Sequence, residues 1–147
     1  MTGTDVRLPT EVGLLLHQVY ALATKQLNAA LLPTQLTSRH IAVMFLIRDG
    51  VQTQRDLVAH LMTDKTGMVR VVDDLARSGY ITREQSAKDR RVTILHFTEA
   101  GQHALAEAQQ YTQKVADDIF GAVDEQELTT MKETLARILD RHTARGD

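Results

Sequence analysis

Between Asp64 and Arg91 the chain gathers side chains that can hold a polyanion. Lys65 and Thr66 stand where an apolar-periodic stretch begins, and Arg70 follows about one helical turn later. The unpaired backbone N–H groups and the positive dipole end of a helix start favour a phosphate, to which Lys65 and Thr66 add donors. Gly67 has no side chain, so its backbone could approach a duplex closely. Met68 and Val69 offer apolar contact to a thymine methyl, and Arg70 can reach guanine or a phosphate. The rival place for Met68 is the core, and the core is the stronger expectation; Val71, Val72 and Leu75 belong there too. Further along, Lys88, Arg90 and Arg91 crowd a polar stretch that has no apolar anchors. Such a cluster suits a narrow, electronegative minor groove, with Asp89 orienting Arg91 through a charge-assisted hydrogen bond. Gln54 and Arg55, upstream, are either phosphate contacts or plain surface.

The bulk composition at first argues the other way, because the 147-residue chain has a formal net charge of −2. The charge is unevenly placed, however. From Gln54 to His96 eight Lys or Arg face six Asp or Glu, a local +2 that leaves −4 for the remainder. An internal basic segment between acidic flanks is the asymmetry expected of local nucleic-acid contact, although a mixed-charge solvated face gives similar counts. The absence of cysteine excludes disulfides, thiolate metal sites and thiol redox switches. No apolar run is long enough for a membrane span and the N-terminus lacks the regions of a signal peptide, so a soluble, cytoplasmic protein is expected.

Enzymatic chemistry finds no foothold. The six histidines, His17, His40, His60, His96, His103 and His142, are scattered and form no i, i+4 pair with a glutamate. There is no phosphate-binding or dinucleotide glycine loop, no GxSxG and no carboxylate cluster. The expectation is therefore no catalysis, no cofactor and no metal.

The elements that must position these residues are mostly helical. Leu8, Val12, Leu15, Val19, Leu22 and Leu27 keep a helical period after Pro9-Thr10, with Thr10 as cap, predicting a long helix to about Leu31 that Pro33 ends. Thr37 caps a second helix with Ile41, Met44, Phe45 and Ile47 on its apolar face, closed at Asp49-Gly50. Thr53-Gln54-Arg55-Asp56 is a variant capping box before Leu57, Val58 and Leu61, a short helix. Asp64 caps the next helix, which carries Met68, Val71, Val72 and Leu75 and stops at Gly79. Beyond it the period changes to two, with strands near Tyr80–Arg83 and Val92–Phe97 around a basic tip at 85–91. Thr98 caps a long helix bearing Leu105, Ala108, Val115 and Ile119, and Asp124 and Glu127 open a last one bearing Leu128, Met131, Leu135, Ile138 and Leu139.

The fold class read from this order is mainly α with a small β-hairpin: helix, turn, helix and hairpin make a winged helix-turn-helix. One small central motif cannot cover the apolar stripes of the outer helices, so these are expected to interlock with a second copy, giving a homodimer.

In its details the chain resembles the MarR family of transcriptional regulators. The run DKTGMVRVVDDLARSGYITR, from Asp64, is similar to the family's recognition helix and first wing strand. The run KDRRVTILHFTEAG, from Lys88, resembles its wing, through Asp89, Arg91, Phe97, Thr98 and Gly101. LTSRHIAVMFLI resembles its second helix. The resemblance implies a single chain over 1–147, with dimerisation helices at 8–32 and 99–145 and a winged helix-turn-helix at 37–97. It further implies a homodimer on the palindromic operator of double-stranded DNA, with recognition helix 64–78 in the major groove and wing 85–91 in the minor groove. Such proteins respond to small aromatic or phenolic ligands, usually as repressors. The matching pocket region holds His17, Tyr20, Arg39, His40 and Met44, of which His and Arg can pair with a carboxylate. Each of these side chains is individually more often structural than ligand-binding. The family's thiol-sensing branch is excluded for want of cysteine, and its zinc-sensing branch lacks a second histidine cluster here. A winged helix that binds another protein, or a nucleoid-type binder without sequence preference, remains as the alternative.

Overall fold

The computed structural model describes residues 7–143. The first helix, α1(Arg7–Ala30), begins three residues before the expected cap at Thr10. Pro9 therefore lies inside its first turn, where no N–H partner is required and the ring's fixed φ already suits a helix. At the other end Pro33 sits in a 3-10 turn, Leu32–Thr34. Then come α2(Ser38–Arg48), α3(Gln54–Leu61) and α4(Lys65–Arg77), followed by β1(Ile81–Gln85), β2(Thr93–Phe97), α5(Glu99–Phe120) and α6(Glu125–Thr143).

Short polar side chains set the starts of these helices by taking up backbone N–H groups that have no partner within the helix. Thr53 Oγ1 accepts from the Asp56 N–H at 3.1 Å, and an Asp64 carboxylate oxygen accepts from that of Gly67 at 2.9 Å. Thr98 Oγ1 accepts from the Gly101 N–H at 3.0 Å while donating to the Gly79 carbonyl at 2.7 Å. Asp124 and Glu127 form a reciprocal pair at the start of α6. The chain leaves α4 through Gly79 at φ +77°, a conformation that costs other residues more.

β1 and β2 pair antiparallel with Ile81 opposite Phe97 and Gln85 opposite Thr93, so the strands begin and end within two residues of the sequence expectation. The Leu95 N–H donates outward to the Gln52 carbonyl at 2.7 Å, tying the hairpin to the segment between α2 and α3.

Two compact units divide the chain, one up to Val115 and one from Ala116 onward. The first unit holds a core in which α2 contributes Ile41, Val43, Met44 and Ile47, and α4 contributes Met68, Val71, Val72 and Leu75. Leu57, Ile81, Leu95, Leu105 and Ala108 join it from α3, the hairpin and α5, and Leu31 and Leu36 from the segment between α1 and α2. Burying each such large side chain stabilises the fold by about 1.5–3 kcal/mol. In contrast, α1 has no buried residue, and Leu8, Val12, Leu15, Val19 and Leu22 are exposed. Within the second unit, Met131, Ile138 and Leu139 of α6 are likewise exposed. No helix among the described residues is long and apolar enough to cross a membrane.

Candidate nucleic-acid interface

The spacing of apolar residues in α4 determines which of its side chains can meet a partner. Met68, Val71, Val72 and Leu75 occur at i, i+3, i+4 and i+7 and turn one face into the core. Lys65, Thr66, Val69 and Arg70 fall on the opposite, solvent-facing side. Met68 takes the core place that was the stronger expectation for it: it is only 1% exposed, so the base contact also considered for it is corrected, whereas Val69, at 43%, is the large apolar side chain that α4 presents outward. No hydrogen bond or salt bridge among the described residues engages the side chains of Lys65 and Arg70. Arg77 and Arg83, by contrast, are bound to Asp74 and Asp73.

Gly67 acquires a different explanation from the one its position suggests. A Cβ built there would lie 2.9 Å from Asp64 Oδ1 and 3.1 Å from Arg39 Nη1. The missing side chain makes room for the capping carboxylate and for a guanidinium reaching over from α2. The hydrogen bond from the Gly67 N–H holds the Asp64 carboxyl below its ordinary pKa, with further help from its own N–H and the charges of Arg39 and Arg70.

The turn between β1 and β2 is organised around Asp89. Its Oδ1 accepts from the Arg91 backbone N–H and from Arg91 Nε, both at 3.1 Å, and its Oδ2 accepts from Nη2 at 3.2 Å. The Asp89 carbonyl also accepts from the Val92 N–H at 3.0 Å. These bonds to Arg91, side chain first and backbone second, hold the Asp89 carboxyl below its usual range. The result is a guanidinium 90% exposed yet fixed in direction. Lys88 and Arg90 are exposed beside it. A groove of about 830 Å³ runs between this turn and the start of α3, lined by Gln54 and Arg55 on one side and Asp89 and Arg91 on the other. The geometry therefore brings Gln54 next to the wing. An interface of this composition can grip phosphates through a fork and point charges while its helix offers apolar and donor contacts to base edges.

The five residues considered for a small-molecule pocket do not come together in the chain. His17 and Tyr20 are exposed on α1, Tyr20 at 71%. Met44 is fully buried in the core, which corrects its assignment as a ligand contact. Arg39 points to the start of α4. His40 lines a cleft of about 290 Å³ shared with Gln35, Leu36, Asp74, Leu75, Arg77 and Ser78.

His40 has a structural part that the sequence analysis did not assign. It occupies the third position of the α2 capping box: its Nδ1 accepts from the Thr37 N–H at 3.0 Å, and its backbone N–H donates to Thr37 Oγ1. With Nδ1 accepting, the ring proton resides on Nε2, which donates to Asp74 Oδ2 at 2.9 Å. That bond is the main cause of the lowered pKa of Asp74, and Arg77, 2.8 Å from the other carboxylate oxygen, adds to it. α2 and α4 are joined by this link. A His three residues after a capping Thr was its only sequence signal.

Comparison with known proteins points in one direction. Residues 31–92 match the sequence profile of the MarR family. A protein of Thauera aromatica, named for transcriptional regulation of the hcr operon, is 31% identical over 86 residues, which are 58% of this chain and 52% of that relative. The chain thus spans about half the length of that relative. Among solved structures, a MarR-family transcriptional regulator from Rhodococcus sp. RHA1 is similar with a TM-score of 0.81 and 26% identity, over 90% of this chain and 94% of that one. CouR from Rhodococcus jostii RHA1, crystallised with p-coumaroyl-CoA, has a TM-score of 0.78 and 27% identity over the same shares of the two chains.

Proposed function

We propose that this chain is a MarR-type transcriptional regulator that binds a palindromic operator as a homodimer and releases it when a small aromatic or phenolic ligand binds, a reading supported by the family match over residues 31–92 and by the likeness to the Rhodococcus regulator. The observation that carries this reading is the two-sidedness of α4. Its buried face is locked to the core by Met68, Val71, Val72 and Leu75, while Lys65, Thr66, Val69 and Arg70 stand exposed and form no salt bridge among the described residues. A rigidly mounted helix with a solvent-facing polar and cationic side suits major-groove reading, and the Asp89-braced Arg91 suits the minor groove. The regions 64–78 and 85–91 fill these two roles.

Dimerisation is supported by the uncovered apolar side chains of α1 and α6, within 8–32 and 99–145, since stripes of that length are seldom left in water. A twofold pair would set two recognition helices about 34–36 Å apart, one turn of duplex. Ligand binding to a spacing that mismatches the operator would weaken DNA affinity by the ligand's differential affinity for the two states. In the His40 cleft Gln35 and Ser78 are donors an acidic ligand could use, while His40 and Arg77 are already engaged by Asp74, which shares the lining. Binding and release need no bond-breaking step, so the reading involves no catalysis, and the site of action is the cytoplasm.

A mobility-shift assay on the DNA immediately upstream of the coding region tests this, with and without salicylate-like acids. The expected result is a discrete complex that outcompetes random duplex, weakens steeply with salt and is dissolved by an effective acid. A salt slope without sequence preference would indicate a nucleoid-type binder, and neither property would indicate a protein-binding module.

A further inference from the structure

We propose that Arg39, carried by α2 rather than by the recognition helix or the wing, contacts a phosphate of the DNA backbone beside the start of α4; this rests on the DNA-binding reading above. Arg39 lies in the first turn of α2 and is exposed. Its Nη1 nevertheless reaches 3.1 Å from where a Gly67 side chain would begin, so the guanidinium crosses onto the first turn of α4, next to Lys65 and Thr66.

Arg39 shares with Arg70 of α4 a guanidinium that no carboxylate holds in a salt bridge among the described residues. Arg48, Arg77, Arg83 and Arg91 each pair with an aspartate. Arg39 makes no hydrogen bond or salt bridge among the described residues, although Asp64 is close enough to feel its charge. One Asp64 oxygen is committed to capping the Gly67 N–H. The fork of five donors is therefore placed beside the start of α4 with no acceptor of its own among the described residues. A guanidinium binds phosphate oxygens in the same bidentate fashion as carboxylates. A phosphate arriving there would complete Arg39, and Arg39 would offset the repulsion between that phosphate and Asp64. A Cβ at 67 would come close to both Nη1 and the Asp64 carboxylate, so glycine leaves the guanidinium its room without a shift of either side chain.

The test is the salt dependence of binding to one fixed duplex, measured by fluorescence anisotropy between 50 and 200 mM salt, roughly the range over which counterion release is usually read. Wild type is compared with Arg39→Ala, Arg39→Gln, Arg39→Lys and, as a control for lost charge elsewhere, Lys132→Ala on α6. Each phosphate contact contributes about 0.9 to the slope of log K against log salt, so a dimer losing two should have a slope shallower by about 1.8. Over a fourfold salt change, wild type should then lose about 12-fold more affinity than Arg39→Ala. Arg39→Gln should match the alanine variant, and Arg39→Lys and Lys132→Ala should keep the wild-type slope. Circular dichroism and melting of both neutral variants guard against misfolding, and Arg39→Gln nearly preserves side-chain volume. A folded Arg39→Gln with the wild-type slope overturns the proposal while leaving DNA binding intact. A wild-type protein that does not bind duplex DNA overturns the functional reading first, and this proposal with it.

Discussion

Gly101 is a helical glycine whose replacement by alanine should destabilise the protein, against the usual direction. In a helix interior the exchange ordinarily stabilises by about 1 kcal/mol, through the lower backbone entropy of alanine. Here the added Cβ would stand 2.2 Å from the Tyr80 carbonyl oxygen and 3.0 Å from Phe97 Cε2. The oxygen belongs to the main chain and already accepts from the Thr98 N–H at 3.1 Å, so it cannot swing aside as a flexible side chain would. Relieving the clash must push the start of α5 away from the hairpin. Overpacking of this kind costs about 1–3 kcal/mol, and weakening the Thr98 to Tyr80 hydrogen bond about 1 more. Set against the helix gain, the net loss is about 2 kcal/mol, or roughly 4–8 °C in Tm for a chain of this size. Urea denaturation of Gly101→Ala should show a lower midpoint with an unchanged slope. An unchanged or raised midpoint would mean that the close approach of α5 to Tyr80 is wrong.

Other substitutions probe the interface and the dimer. Asp89→Ala removes a negative charge, which would strengthen DNA binding if Asp89 were ordinary surface; because it holds Arg91, anisotropy should show weaker binding instead, and tighter binding refutes the positioning role. Arg91→Ala should leave the oligomeric state unchanged and reduce the slope of log affinity with log salt by about 0.9 per wing. Leu15→Glu on α1 should yield monomers in sedimentation velocity: losing about 1.5 kcal/mol per copy at a twofold interface loosens it by roughly 150-fold, before the buried charge is considered. An intact dimer in that variant contradicts the α1 interface. The carboxyls of Asp64, Asp74 and Asp89 are held below their ordinary values by hydrogen bonds to Gly67, His40 and Arg91 respectively. Their contribution to stability is therefore complete above the unfolded carboxylate value near 3.9 and is lost as pH falls through the lower folded values. Melting curves should show Tm falling in that acid range, and a rise there would refute the assignment.

How much of this could be read from the sequence depended on how far apart the interacting groups lie along the chain. Thr37, Thr53, Asp64 and Thr98 act as caps on residues three positions away, so local spacing was enough to find them. Gly79 and the change of period after it marked the hairpin for the same reason, and the Asp89 to Arg91 bond spans only two residues. Met68 was legible in the same way, since it opens the i, i+3, i+4, i+7 stripe with Val71, Val72 and Leu75 and lies in the core as that spacing implies. The pairs that proved hardest are distant: His40 with Asp74 is separated by 34 residues, and Arg39 reaches over Gly67 across a similar gap. Nothing in local composition distinguishes an arginine that serves a ligand pocket from one that leans on a neighbouring helix. Pocket residues are legible only after the helices have been placed, which is why His17, Tyr20, Arg39, His40 and Met44 looked alike in the sequence and occupy different surroundings in the fold.

The central claim, that two copies of α4 and the wing engage both grooves of one duplex, is tested most directly by hydroxyl-radical footprinting on the palindrome selected by the protein from the upstream DNA. The account predicts two symmetric protected segments about 10 base pairs apart, flanked by outer minor-groove protections that disappear in Arg91→Ala. A single protected segment, or a symmetric footprint whose outer protections survive that substitution, would contradict it.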